Sequence, residues 1–412
     1  MSVLLIVETS DVGARFTAEA ARALGFEPLF LCDLGSYQAD TRRELEAYPV
    51  LDGATGDAAT LARRVRAHLG ERGSVVGGVI TLLDSRLCVA RELAERLGCP
   101  GLDPAVDDLK DKARVAALIP EFSPRSISFE RGNIPWARIE AVWRESARGI
   151  VLKPRATAGA IGFTAIPPGE ELRPAVERAL ASAEIPGFLS PDAWLCQELL
   201  SGELCSLEGY VLGGRVHPIT VSGRRKVGST ESQLLLPYEE HISSHAVGVM
   251  QEAVACLVHR AGLRYGYFHC EFLVDGDVAR LIDANMGRLG GGSMGPQLAL
   301  SLGLDPVTLY SHVLRVSLGL AEPADHLPSR PARATWGLLY GMKEGGFLKS
   351  VHVPEGSGCH HLQILETNQA IPRMGQNNWS WVGMLWGITG DVAAGLRDFW
   401  LETPTGREQP AY

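Results

Sequence analysis

Between Tyr265 and Gly295 the chain reads YGYFHCEFLVDGDVARLIDANMGRLGGGSMG, and no other stretch restricts the fold as tightly. Tyr267 to Val274 is apolar and rich in β-formers, Asp275-Gly276-Asp277 is a turn signal, and Val278 to Ala284 reads as a returning strand. The pattern predicts a β-hairpin. Side chains alternate faces along a strand, so Asp283 and Asn285 point the same way. Glu271 precedes Asp283 by twelve positions; an odd-length loop at Asp275-Gly276-Asp277 puts both carboxylates on one face, and a two-residue loop does not. The odd loop is the expectation. Two carboxylates and a carboxamide converging from neighbouring strands form an all-oxygen site, of the kind that holds Mg2+ together with substrate phosphates. Arg288 and Gly290-Gly291-Gly292 place a fixed cation and a close-approaching backbone beside it. The chemistry suggested is phosphoryl transfer; the plainer reading is an acidic hairpin with a glycine-rich exit.

A second signal lies upstream. Ile150-Val151-Leu152 reads as a strand delivering Lys153, Pro154 ends its pairing, and Thr157 to Gly162 is a small-residue loop. Such a loop either lays backbone N–H groups over phosphates, with the lysine as a point charge, or simply connects two strands. Within Trp194 to Val211, Glu208 read on its own is an ordinary outward strand residue.

From Val3 to Leu97 apolar strands (Val3 to Val7, Pro28 to Cys32, Val75 to Leu82) alternate with amphipathic helices (Ala14 to Leu24, Ala58 to Leu69, Ser85 to Leu97). That rhythm predicts a parallel sheet with helices on both sides. Its first turn lacks G-x-G-x-x-G, so dinucleotide binding there is unsupported; Thr9, Ser10 and Asp11 cap the next helix or line a crevice. Ala105 to Ile119 is expected as one helix with Lys110, Asp111, Lys112 and Arg114 crowding an end, and Ala246 to Ala261 as another. Gly223 to Lys226 is placed on a loop, where Arg224, Arg225 and Lys226 either neutralise an anion or stand in solvent. His241 and His245 lack partners at a metal spacing. After a proline-rich linker, Pro323 to Pro331, short strands lead to a stretch Asn377 to Gly390 and a last helix Asp391 to Phe399. Five of the eight tryptophans fall in this last lobe, which is expected to be a packed cap or a dimer face.

At 412 residues the chain needs two or three lobes. A net charge of −9 argues against nucleic acid and against anionic membranes, so a polyanionic ligand requires a local basic site. Eight cysteines with no C-x-x-C pair, mostly inside apolar runs, fit buried thiols in a reducing compartment. With no basic leader and no run of about 18 apolar residues, the expectation is a cytoplasmic protein.

Taken in order, these residues resemble the ATP-grasp superfamily over roughly Met1 to Gly319, and locally the L-amino-acid ligases of the bacilysin type, whose S-x-E-G matches Ser206 to Gly209. The resemblance implies an α/β fold: a parallel pre-ATP-grasp domain (1–107), a lid lobe (108–197), a large lobe with the metal site (198–325) and a C-terminal α+β subdomain (326–412). It implies ATP and Mg2+, as a pair of ions that Mn2+ can replace. Lys112 and Lys153 would hold phosphates, Gly159 and Gly162 would form the phosphate lid, and Glu271, Asp283 and Asn285 would hold the metal. Main-chain groups of Glu198, Leu199 and Leu200 would read adenine, beside Gln197. Arg288, Lys153 and Glu208 would be the catalytic set. Three departures stand out: Gln197 replaces a common acid, Leu204 sits at the ribose position with Glu203 one place early, and Met286-Gly287 lengthens the step to Arg288. The activity implied is amide formation between a small-molecule carboxylate and an amine, amino acids or small peptides, through an acyl phosphate, in making a specialised metabolite. Intramolecular closure uses the same machinery. A non-catalytic nucleotide-binding regulator is the alternative from another class, and a homodimer the default assembly.

Overall fold

Successive apolar residues of the first strand feed two different cores. Val3, Leu5 and Val7 pack with the helices Ala58–Gly70 and Leu87–Leu97, while Leu4 and Ile6 pack with Ala14–Ala23 and with Tyr310 and Leu314 of the helix Pro306–Ser317. Each such fully buried side chain is worth about 1.5–3 kcal/mol relative to exposure. The computed structural model describes every residue but 1, 11, 38, 54–55, 72, 158–160, 183–191, 329, 354–355, 357 and 376–377, and the side chains of 39–40, 182 and 379 are likewise outside the description.

The N-terminal sheet is parallel, with β1 (Ser2–Val7), β2 (Glu27–Cys32), β3 (Val50–Asp52) and β4 (Val75–Ile80) in the order β3-β2-β1-β4. The alternation of strands and helices holds, and two elements join it unannounced: β3 and the helix Ala39–Leu45. β3 has only three residues, too few to show a period.

The lid lobe is an antiparallel sheet of β5 (Ser126–Glu130), β6 (Ile150–Pro154), β7 (Thr164–Ile166) and β8 (Ala193–Glu198), ordered β5-β8-β6-β7. The helices Trp136–Glu145 and Leu172–Ser182 cover it, closing a core around Trp194, Ile150, Leu152 and Phe129. The single helix expected over Ala105 to Ile119 is two, Val106–Leu109 and Lys112–Leu118. Asp111 breaks it: in extended conformation, its Oδ1 accepts the Ala113 N–H at 2.9 Å and caps the second helix.

The third sheet holds the remaining large strands: β9 (Glu203–Leu212), β10 (Arg215–Val227), β11 (Thr230–Leu236), β12 (Tyr265–Asp275), β13 (Val278–Met286) and β14 (Thr335–Tyr340). Two small sheets accompany it, a pair of β15 (Gly346–Phe347) with β18 (Ala370–Ile371), and three strands, β16 (Ser350–His352) with β20 (Trp400–Thr403) and β21 (Gly406–Glu408). With β17 (His360–Gln363) and β19 (Gly383–Ile388), the eight strands run β13-β12-β9-β10-β11-β14-β19-β17. The strands of residues 326–412 thus continue the large-lobe sheet through β11 and β14. The last helix is earlier and shorter than expected, Thr389–Gly395, because β19 already ends at Ile388. Helix Ser244–Ala261 covers one sheet face, packing Met250, Val254 and Leu257 against Phe268, Cys270 and Phe272. Its tryptophans pack both within the lobe and across to the others: Trp400 stacks on His352 at 3.7 Å, Trp386 packs with Leu339 and Val12, and Trp381 bonds to Glu231.

Candidate active site

The hairpin forms, with a different device setting its register. Asp275 pairs with Val278, so the loop is two residues, Gly276 and Asp277, and not the odd loop expected. Parity is restored by a bulge: Phe272 pairs with Leu281 but Glu271 with Asp283, leaving Ile282 as the extra residue. The two carboxylates therefore share a face, directly opposite each other, and Asn285 follows opposite His269. The bulge also does something a loop insertion could not. The Ile282 carbonyl accepts Lys153 Nζ at 2.8 Å, tying β6 to the hairpin.

A second lysine makes the same crossing. Lys112 Nζ donates to the Thr157 carbonyl at 2.8 Å and lies 2.9 Å from Asp283 Oδ1. Burial would lift the Asp283 carboxyl, but Lys112 foremost, then Lys153, holds it below its ordinary value. Burial in turn pulls Lys153 down to about 8, against the attraction of Asp283. Glu271 sits well below the usual carboxylate range because the guanidinium of Arg224, then His269 and Lys226, outweigh its burial.

Arg224 is a correction. Gly223 to Lys226 belongs to β10 and not to a loop, and Arg224 points inward, its side chain 9% exposed, bonded to both Glu231 and Glu271. Glu208, expected in the catalytic set, is 0% exposed, accepts the Ser222 hydroxyl at 3.0 Å, and lies 2.7 Å from His269 Nδ1, so it positions His269. His269 was missed, although it alternates with Glu271 on the same strand face.

Arg288 does return to the site despite the longer step. Gly287 takes φ +95, where a β-carbon would also stand 3.0 Å from Val106, and the backbone turns so that Arg288 donates to Asn285 Oδ1 at 2.9 Å. Asp84, at the end of the N-terminal sheet, reaches it too, 3.5 Å from Nε, and also pairs with Lys110. Burial lowers the pKa of Lys110 to about 7 and that of Arg288 from its ordinary value.

Between lid and large lobe lies a small cleft lined by Leu109, Lys112, Ala116, Gln197, Leu281 and Asp283, among others. Gln197 is buried there and donates to Ser126 Oγ at 2.7 Å. Of the three residues expected to read adenine, Glu198 and Leu199 give their N–H groups to Arg125 and Gly149; Leu200 keeps its own free among the described residues. The Glu198 carboxylate takes Arg125, and Glu203 accepts the Tyr238 hydroxyl at 3.1 Å. Gly162 has φ +73. Gly159 lies outside the described residues.

The donor set fits a divalent cation only in company. Among the described residues no group of three or more His, Cys, Asp or Glu is placed to hold a metal. Two facing carboxylates plus the Asn285 amide, with two lysines alongside, match Mg2+ shared with phosphates.

Solved structures of low sequence identity superpose over the whole chain. An L-amino acid ligase from Bacillus licheniformis is 18% identical with a TM-score of 0.77, covering 97% of this chain and 98% of its own. The biotin carboxylase domain of the Hydrogenobacter thermophilus 2-oxoglutarate carboxylase, solved as a dimer with MgADP and bicarbonate, is 15% identical with a TM-score of 0.72, covering 98% and 91%. The chain has the ATP-grasp fold. A phosphoribosylglycinamide synthetase from Anaerococcus prevotii shares this ATP-grasp architecture at 12% identity and a TM-score of 0.70, covering 97% and 99%. No family model and no curated protein matches the sequence. Among the described residues no helix is long and apolar enough to cross a membrane.

Proposed function

We propose that the chain is an ATP-dependent carboxylate–amine ligase acting on amino acids or small peptides. The observation that carries this reading is the meeting of Lys112 and Lys153 from the lid side with Glu271, Asp283 and Arg288 on the hairpin. Lys112 and Lys153 hold the ATP phosphates, exchanging their present partners for them. Glu271, Asp283 and Asn285 hold Mg2+, whose charge supports the transferring phosphoryl group. Gln197, Glu198, Leu199 and Leu200 border adenine, Glu203 the ribose side, and Gly162 the phosphates.

In this reading a carboxylate oxygen bonds to the γ-phosphorus as ADP leaves. The amine nitrogen then bonds to the acyl carbon as inorganic phosphate leaves, and the amine loses a proton. Arg288 would stabilise the transferring phosphoryl group or the oxyanion of that second step, a contribution worth about 3 kcal/mol. The likeness to an L-amino acid ligase supports amino-acid substrates; a role in making a specialised metabolite and a homodimeric state belong to the same proposal.

The test is ADP and phosphate release from Mg-ATP across pairs of amino acids, with mass spectrometry of products. Release that requires both an acid and an amine, and stops in Glu271→Gln, supports the ligase. Tight nucleotide binding without release for any pair points to a regulator.

Lys153 adds a pH signature. Its pKa is depressed to about 8, so its neutral form accumulates above that pH, and bound phosphates favour the charged form. Nucleotide binding should therefore take up protons between about pH 8 and the ordinary lysine value of 10.5. Calorimetry in buffers of different ionisation heat measures this. Lys153→Arg, always charged, should show none; equal uptake in both would remove Lys153 from the phosphate site.

A further inference from the structure

Glu271 does not offer both of its oxygens to the cleft. Arg224 holds Oε1, and nothing among the described residues holds Oε2. The guanidinium is itself clamped. Its Nε lies 2.9 Å from Glu231 Oε1 and its far nitrogen bonds Oε2 of the same carboxylate, while the nitrogen on Glu271 also lies 2.9 Å from His269 Nε2 and 3.4 Å from Ser206 Oγ. The clamp is anchored outside the large lobe. The Glu231 N–H donates to Asn378 Oδ1 at 2.9 Å, and Trp381 Nε1 donates to the Glu231 carbonyl at 2.7 Å. A bulge in β11 makes this possible: Arg225 pairs with Gln233 but Lys226 with Glu231, which turns Glu231 onto the face of Arg224.

We infer that Arg224 is a positioning residue for the metal hairpin, a built-in counter-ion that leaves Glu271 a one-oxygen donor and keeps divalent cations off the hairpin until nucleotide phosphates add their charge. This rests on the reading of Glu271 as a metal ligand. A cation approaching Oε2 alone meets a fixed positive charge behind the same carboxylate, and that repulsion is weakly screened in a buried site. Phosphates tip the balance because they add negative charge on the far side of the ion. The guanidinium stays in place throughout, since Glu231 holds two of its nitrogens in fork geometry.

Manganese serves as the probe, titrated into the full chain and followed by electron paramagnetic resonance, with and without ADP. The parent should bind Mn2+ weakly alone and more tightly with ADP. Arg224→Gln should bind Mn2+ alone roughly tenfold or more tightly than the parent, because a unit charge beside the ligand is gone, and its gain from ADP should shrink accordingly. The double change Arg224→Gln with Glu231→Gln removes the charge together with its partner, so it spares the fold an unpaired buried acid, and it should tighten Mn2+ as well. Arg224→Lys, which keeps the charge, should stay near the parent. If the folded charge-removing variants bind Mn2+ no better than the parent, or worse, Arg224 is structural only and the inference fails. Glu271→Gln separates the two ideas: Mn2+ binding with ADP that is unchanged by this substitution takes Glu271 out of the metal site, and with it the reading on which this inference rests, whatever the arginine variants do.

Discussion

Asp283→Asn should leave a folded chain that still binds nucleotide but releases ADP at least about 10²–10³-fold more slowly, the loss typical of removing one preorganised electrostatic group from a reacting centre. Asparagine keeps the shape of the side chain and can still accept from Lys112, now 2.9 Å from Asp283 Oδ1. The negative charge disappears, and with it half of the carboxylate pair that faces the cleft. Lys112 and Lys153 remain as cations with less to neutralise them, so the affinity for the phosphates of ADP should hold or rise. The split between binding and turnover is the informative part. Calorimetric titration of ADP beside a release assay measures both, and an Asp283→Asn variant retaining more than about a tenth of the parent rate would take the carboxylate out of the reaction.

The largest loss of stability should come from Phe272→Ala, at about 3–5 kcal/mol. Phe272 is 0% exposed, pairs with Cys205 on one side and Leu281 on the other, and belongs to the core that includes Met250, Val254 and Leu257 of the covering helix. A cavity there cannot collapse easily, because β9 is held on its far side by β10 and the edge strand β13 is packed under helix Ser244–Ala261. Against a typical total of 5–15 kcal/mol, such a loss is severe. Phe272 is also the residue next to Glu271, on the opposite face, so the strand that presents the carboxylate loses its anchor. Urea unfolding reads the effect, with Phe272→Leu as the milder comparison; a loss below about 1 kcal/mol would mean that the helix rather than the strand interior carries this core.

The hairpin shows what the sequence could and could not reveal. Alternation alone required that something of odd count lie between Glu271 and Asp283 if both were to face one way, and they do. It could not say where, because a bulge and a longer loop have the same parity, and only the pairing of Asp275 with Val278 distinguishes them. The helix expected over Ala105 to Ile119 failed for a local reason: its apolar period runs through Asp111 unbroken, while the capping bond that ends one helix and starts another competes with it. Arg224 was hidden differently. Three successive basic residues look like a solvated turn, and nothing nearby in sequence shows that Glu271, 47 residues on, neutralises one of them. Asp84 and His269 share that obscurity. Each acts through a partner on another element, and a single chain read in order carries no mark of such pairs.

The joining of β11 to β14 has a consequence for how the chain comes into being. During synthesis, every strand from β9 to β13 emerges before β14 does, so for a time Gln233 to Leu236 presents an unpaired, largely apolar border. Exposed borders of this kind recruit other chains. A ribosome that stops short of Thr335 therefore releases a product whose hairpin residues are all present yet whose sheet is open to its neighbours, and Glu231 then also lacks the backbone partners supplied by Asn378 and Trp381. Arrested synthesis thus yields aggregation-prone fragments.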